Sequence, residues 1–329
     1  MTRHRTPYAQ RSIMNNLNLT QLHFSNFFKK TSVMEFLKKF VRRPSVRNFL
    51  QTRGMNIVPV NYYSTVPSVV EIENSFEYQG DEMPWLSDEI FDAKLMANFL
   101  KELAPFAEEF NPPTKGDEQL CDRYFWENSQ FSHSDAMAYY CFIRRFQPQT
   151  IVEIGAGFST LVAREAIDKN GSGKIICVEP YPRPFLASIP HTEVVNLTAQ
   201  NISAEWLNDQ LQDGDLLFID STHTVKTGSD CLHIYLKLLP QIKRRIHVHA
   251  HDIFLPCGMP KEWMLEQQIF WTEQYLLLAY LLGNSRTKVV YGSTYHEKIN
   301  LPALQKFMHG RGNAGGGSLY FEQLPSTKS

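Results

Sequence analysis

The chain has 329 residues, 43% of them hydrophobic and 20% charged, and a formal charge of −1. This is an ordinary globular composition, large enough for one sizeable core plus a subdomain. There is no run of about 18 apolar residues and no apolar h-region near the start, so neither a membrane span nor a signal peptide is expected. The five cysteines are odd in number and lack CxxC spacing, which indicates neither a disulfide framework nor a zinc site and makes a reducing cytoplasm the expected location.

The charge is unevenly spread. Residues 1–54 hold eleven Lys or Arg against one acid, Glu35, so the remainder carries −11 by difference. Here Phe27, Phe28, Val33, Met34, Phe36, Leu37, Phe40 and Val41 alternate with Lys29, Lys30, Lys38, Lys39, Arg42 and Arg43. The pattern predicts one or two short basic amphipathic helices stopped by Pro44. Such a segment either packs one face on the rest of the chain or docks on an anionic surface, with peripheral membrane attachment one form of this. No nucleic-acid motif is present, so no nucleic-acid partner is expected.

Residues 55–130 read as a cap segment. Asn56–Ser64 is extended and interrupted by Pro59. A helix is expected from about Ser87 to Ala104, with Leu95, Met96, Phe99, Leu100 and Leu103 at helical spacing, ended or kinked by Pro105. The aromatic run Tyr124-Phe125-Trp126 reads equally as core or as a substrate wall. Ser132-His133-Ser134-Asp135 then offers an N-cap with an acid three residues on, opening a helix that Pro148 ends.

Thr150-Ile151-Val152-Glu153-Ile154 is a short β-branched run, read as a buried parallel strand, and Gly155 and Gly157 supply a tight turn into a helix from Phe158 to Asp168. A dinucleotide fingerprint needs a third glycine where Thr160 stands. Glu153 would repel a pyrophosphate but suits a cationic group such as the ammonium of S-adenosylmethionine (SAM). Glu153-Ile154-Gly155-Ala156-Gly157-Phe158-Ser159 resembles motif I of the class I SAM-dependent methyltransferases, with Ser159 where many members have a third glycine. The chain after about residue 50 resembles a bacterial branch of that family. The resemblance implies a Rossmann-like α/β fold with a seven-stranded mixed sheet over residues 131–329, behind the N-terminal helical extension. It also implies SAM as cofactor, with Glu153, Gly155, Gly157, Ser159 and Thr160 around it.

The second strand, Lys174–Val178, ends at Glu179, an acid placed to accept both hydroxyls of a ribose. The third strand is Val194–Leu197. The fourth, Asp215–Ile219, delivers Asp220 and His223 to its carboxyl end, where ligands gather in a doubly wound sheet. A helix from Gly228 to Leu239 leads to Ile246–Asp252, in which His247, His249 and His251 share one face and Asp252 lies at the rim. His247 and His249 read as hydrogen-bonded core residues.

With the family's strand order, Asp220 and Asp252 face one pocket together with His223 and His251. Two chemistries suit this group. In one, neutral His223 takes the proton of a substrate hydroxyl that attacks the SAM methyl. In the other, Asp220 and Asp252 hold a divalent metal; metal-dependent relatives follow the second acid with Asn, and Ile253 here counts against it. Trp263, Trp271 and Tyr275, the last two on a helix from Phe270 to Leu282, are candidates for a sugar or aromatic pocket. Lys288–Tyr291 and Ser318–Phe321 read as the last two strands. The expected activity is O-methylation of a small-molecule or saccharide hydroxyl. The alternatives are an NAD-dependent oxidoreductase and a non-catalytic docking module that retains the fold.

Overall fold

The structure is a computed structural model that describes residues 32–58, 60–80, 82–118 and 121–326. The expected helical positions Phe27, Phe28, Lys29 and Lys30 lie outside the described residues. The chain forms two units, residues 1–68 and 69–329. Composition suggested boundaries at 54 and 130, whereas residues 69–130 belong with the larger unit.

In the smaller unit, α1 (Ser32–Val41) is an expected basic amphipathic helix, whereas α2 (Pro44–Gln51) lies beyond the expected stop and was not read from the sequence. Pro44 does more than end α1. It occupies the first turn of α2, where a missing N–H costs nothing.

The larger unit is built on seven strands: β1 (Thr150–Ile154), β2 (Lys174–Val178), β3 (Thr192–Val195), β4 (Leu216–Ile219), β5 (Ile246–Ala250), β6 (Thr287–Gly292) and β7 (Leu319–Gln323). They form one sheet in the order β3-β2-β1-β4-β5-β7-β6, with β7 antiparallel to both neighbours and the others parallel. Every residue of β1, β4 and β5 is buried, which explains why β1 and β4 read as largely apolar runs, while β5 alternates because its histidines share one face. Asp215 fixes the start of β1 beside β4, because its Oδ1 accepts from the backbone N–H of Gln149 and Thr150, each at 2.9 Å. Strand order reverses between β1 and β4, which opens a crevice at the carboxyl ends of the strands.

Flanking helices are α3 (Ala93–Ala107), α4 (His133–Phe146), α5 (Phe158–Asn170), α6 (Asp230–His233, continued as a π-helical turn over Ile234–Leu238) and α7 (Glu273–Leu281). Helix α3 begins later than expected, because Asp92 caps it by accepting from Leu95 N–H at 2.9 Å, and it runs past Pro105 for two residues. Tyr124, Phe125 and Trp126 are buried and join the core between α4 and the preceding loop. They are core, not substrate wall for the crevice. His247 and His249 also face this core, against Phe142 and Tyr139. Burial pushes the His247 imidazole down to about 4 and holds His249 well below its ordinary value, so both are neutral.

Candidate functional site

A cavity of about 790 Å³ opens over the carboxyl ends of β1, β2, β4 and β5. Its wall includes Gly155, Glu179, Asp220, His223, His251 and Asp252. All four residues expected to act in chemistry are therefore brought together, with three of the expected cofactor residues, Asp220 being common to both sets. Gly157, Ser159, Thr160 and Glu153 are not in this wall; all four are buried.

The loop after β1 shows why. Gly155 lies at φ +86, and a Cβ there would fall 1.8 Å from the Asp220 carbonyl oxygen, so this glycine lets the ends of β1 and β4 close together. Around Gly157 the protein leaves space: its φ is 175 and the nearest atom to a Cβ would be the Gln130 Oε1 at 3.9 Å. Glu153 sits beneath the loop with no exposed surface. It accepts from Tyr139 Oη at 2.9 Å and from Thr160 Oγ1, which in turn accepts from Gly157 N–H at 3.2 Å. Burial raises its pKa to about 7 against the hydrogen bonds of Thr160 and Tyr139. The expected contact between Glu153 and a cofactor ammonium is corrected accordingly: Glu153, Ser159 and Thr160 brace the loop from below. Glu179 does reach the cavity; its carboxylate accepts from Tyr181 N–H at 2.8 Å and Ala156 N–H at 3.4 Å and keeps further lone pairs for a ligand.

The centre of the site is a network of two histidines and four carboxylates. His223 Nε2 lies 3.1 Å from Asp220 Oδ1 and 3.6 Å from Asp252 Oδ2, and its Nδ1 lies 2.8 Å from Glu273 Oε2. Glu273, 1% exposed, also accepts from Tyr235 Oη at 2.6 Å. The backbone locks this contact, since His223 O accepts from the N–H of Thr272 and Glu273. His251 Nδ1 lies 3.3 Å from Asp220 Oδ1 and its Nε2 3.4 Å from Asp135 Oδ2. Asp135 is held by Ser293 Oγ at 2.6 Å and by the N–H of Gly317 and Ser318 at 2.9 and 3.0 Å. Its carboxylate is thus diverted from the capping role its spacing suggested, and Ser132 makes no side-chain cap.

Electrostatics follow from this packing. Burial disfavours an imidazolium at 223, yet the hydrogen bonds and charges of Asp220 and Glu273 raise it to about 10. His251 is likewise held well above its ordinary value despite burial, by Asp252, Asp220 and Asp135. Burial also opposes ionisation of Asp220, but the two histidines keep it strongly ionised, whereas burial and the Asp220 charge raise Asp252 against the pull of His251. The neutral His223 base expected from the sequence meets a ring bracketed by two carboxylates, which favour its protonated form. Three cavity residues, His133, His223 and Asp252, hold left-handed backbone at φ 58, 57 and 54, a conformation non-glycine residues adopt at a cost of about 1–3 kcal/mol.

Asp220, His223 and Asp252 each present one ligand atom within 4.8 Å of the others. Two carboxylates and one imidazole suit a borderline divalent ion such as Mn²⁺ better than Mg²⁺. Trp263 and Trp271 line the cavity, Trp271 with its ring 4.4 Å from that of His223. Tyr275 does not line it and instead donates to Glu77 Oε2 at 2.7 Å. Asp135 and Glu273 are the residues that sequence reasoning missed. Each reads as a first-turn helix acid, and only the fold turns them toward histidines in the loops that follow β4 and β5.

A family model described as a methyltransferase domain matches residues 152–253. An Archaeoglobus fulgidus protein, itself uncharacterised, is 30% identical over 174 residues, covering 51% of this chain and 74% of that protein. Among solved structures, a Klebsiella pneumoniae protein provisionally named an O-methyltransferase aligns at 12% identity and TM-score 0.36, over 69% of this chain and 90% of that one. The N-terminal domain of EvdMO1 with SAH bound aligns at 15% identity and TM-score 0.34, over 73% and 100%.

Proposed function

We propose that the chain is a class I SAM-dependent methyltransferase with SAM as its cofactor, and that it methylates a hydroxyl oxygen of a small polar acceptor, a saccharide first among them. The observation that carries the proposal is the Asp220–His223–Asp252 group on the cavity wall beside Glu179.

The residues present fit the cofactor. Gly157 lies behind the wall with room for a Cβ, which would touch the wall residue Gln130 at 3.9 Å and narrow the space beside the loop, and Glu179 offers free acceptors for a ribose diol. With Glu153 sealed below the loop, Asp220, the wall carboxylate packed against Gly155, is the one we assign to the methionine ammonium. When bound, SAM supplies an electrophilic methyl group.

A neutral hydroxyl attacks well only as its proton leaves, so the wall needs a base and a group that tolerates the developing charge. Asp252 Oδ2 is assigned the base, because its carboxyl is raised while that of Asp220 is lowered; a pair whose environments separate their pKa values divides the roles. His223, cationic between Asp220 and Glu273, stabilises negative charge on the acceptor oxygen and fixes the Asp252 carboxylate. Trp263 and Trp271 offer apolar faces to a sugar ring. A second reading is favoured by the spacing of Asp220, His223 and Asp252: these three would hold a divalent ion that acidifies the hydroxyl.

The test is calorimetric titration with SAM, with NAD in parallel, followed by an acceptor screen that reads S-adenosylhomocysteine release with chelator or Mn²⁺. SAM binding with release on hydroxylated acceptors supports the proposal. Release only on amine acceptors would overturn it, and activity abolished by chelator and restored by Mn²⁺ would select the second reading.

A further inference from the structure

Among its described residues the smaller unit presents many exposed large apolar side chains. Among the described residues, 23 large hydrophobic side chains are exposed, and 11 of them fall within residues 35–68. On the two helices these are Phe36 (60%), Leu37 (44%), Phe40 (40%) and Phe49 (54%), followed by Tyr62 and Tyr63 at about four-fifths exposed. Helix α2 buries no residue at all.

These side chains are not scattered. Phe36, Leu37, Phe40 and Val41 recur at helical spacing on one face of α1, with Phe36 and Phe40 stacked at 6.0 Å, while Lys38, Lys39 and Arg42 take the opposite face. In α2, Val46, Phe49 and Leu50 share a face with Arg47 to one side. Arginines border the rings: the Arg43 guanidinium lies 5.9 Å from the Phe40 centroid and that of Arg53 3.8 Å from Phe49. Residues 32–54 hold six Lys or Arg against Glu35 alone, which pairs with Lys38 at 2.9 Å, a net +5.

Three occupants could cover such a face, and its chemistry separates them. A second copy would bring +5 against +5. A soluble polyanion would match the cations and leave the phenylalanines in water. A bilayer interface takes both, apolar rings at the acyl boundary and cations at anionic headgroups. Neither helix can span, since they contain ten and eight residues, and no helix among the described residues is long and apolar enough to cross a membrane. We propose that residues 32–54 dock the protein on the surface of an anionic phospholipid bilayer, with the Phe36, Phe40 and Phe49 side chains at the headgroup boundary.

The test is co-sedimentation of the full chain with phosphatidylcholine vesicles, with and without about one-third phosphatidylserine. The expected result is binding to the anionic vesicles only, released by salt. Phe36→Ser with Phe40→Ser, and separately Lys39→Glu with Arg42→Glu, should each lower the partition coefficient roughly tenfold or more. Both pairs are exposed, so the fold tolerates them, which circular dichroism checks. Equal binding to neutral vesicles would overturn the proposal. So would Phe variants that lose a dimer in sedimentation equilibrium while vesicle binding is absent throughout, or heparin binding that the Phe variants leave intact with no vesicle binding.

Discussion

Replacing Glu273 with Gln isolates the ion pair that sets the charge of His223. The imidazole rises from an ordinary 6.5 to about 10 in the folded protein, a difference worth on the order of 5 kcal/mol when the unfolded chain titrates normally. A raised histidine stabilises the fold fully below pH 6.5, and the contribution is lost as pH climbs from 6.5 through about 10. Asp220 and Glu273 share this effect, and Gln keeps an acceptor for Nδ1–H but not the charge. Glu273→Gln should therefore cost about 3 kcal/mol at pH 6.5, near the low end for a broken buried pair. By pH 10.5 the cost should fall to about 1 kcal/mol, because the ring is then neutral in both proteins and only an ordinary hydrogen bond distinguishes them. Urea unfolding at the two pH values, with chelator present, reads both quantities. Titrations of groups remote from Glu273 cancel in the wild-type-minus-variant difference, and Tyr235→Phe in both proteins removes that of the hydroxyl bonded to it. An equal loss at both pH values would refute a charged His223–Glu273 pair.

The two glycines of the loop should separate structure from binding. Gly155→Ala is expected to destabilise the fold by roughly 3 kcal/mol or more, from the positive φ and the Asp220 carbonyl, whereas Gly157→Ala should unfold within about 1 kcal/mol of wild type yet bind SAM more weakly by calorimetry. Glu179→Ala should weaken SAM binding on the order of a hundredfold, for two lost charge-assisted hydrogen bonds; an unchanged Kd would remove it from the ribose. Asp252→Asn should leave SAM affinity nearly intact and lower turnover about a hundredfold or more, and turnover equal to wild type would move the base elsewhere.

The central strands β1 and β4 were legible because burial on both faces makes them largely apolar runs, and each of the seven strands was found within a few residues of its expected span. Helix limits were less so, because they depend on which side chain captures the first free N–H groups. Asp92 does so for α3, while Asp135 has the right spacing for α4 and bonds elsewhere. Residues at the strand ends, Glu179, Asp220 and Asp252, were legible by topology, since the sheet sends its carboxyl ends to one crevice. Their partners were not. Glu273 and Asp135 act across tertiary contacts with His223 and His251, and no local pattern distinguishes them from solvated first-turn acids.

That hidden half of the site decides its ligand preference. His223 and His251 are both held protonated, which alone would make a cationic wall suited to phosphate. Counting Asp135, Asp220, Asp252 and Glu273, two imidazoliums face four carboxylates, a net charge of −2 when all are ionised. A buried surplus of negative charge favours a sulfonium with an ammonium and disfavours a pyrophosphate. The same surplus eases product release: methyl transfer removes the sulfonium charge, so the wall holds the product less tightly than the cofactor it replaces.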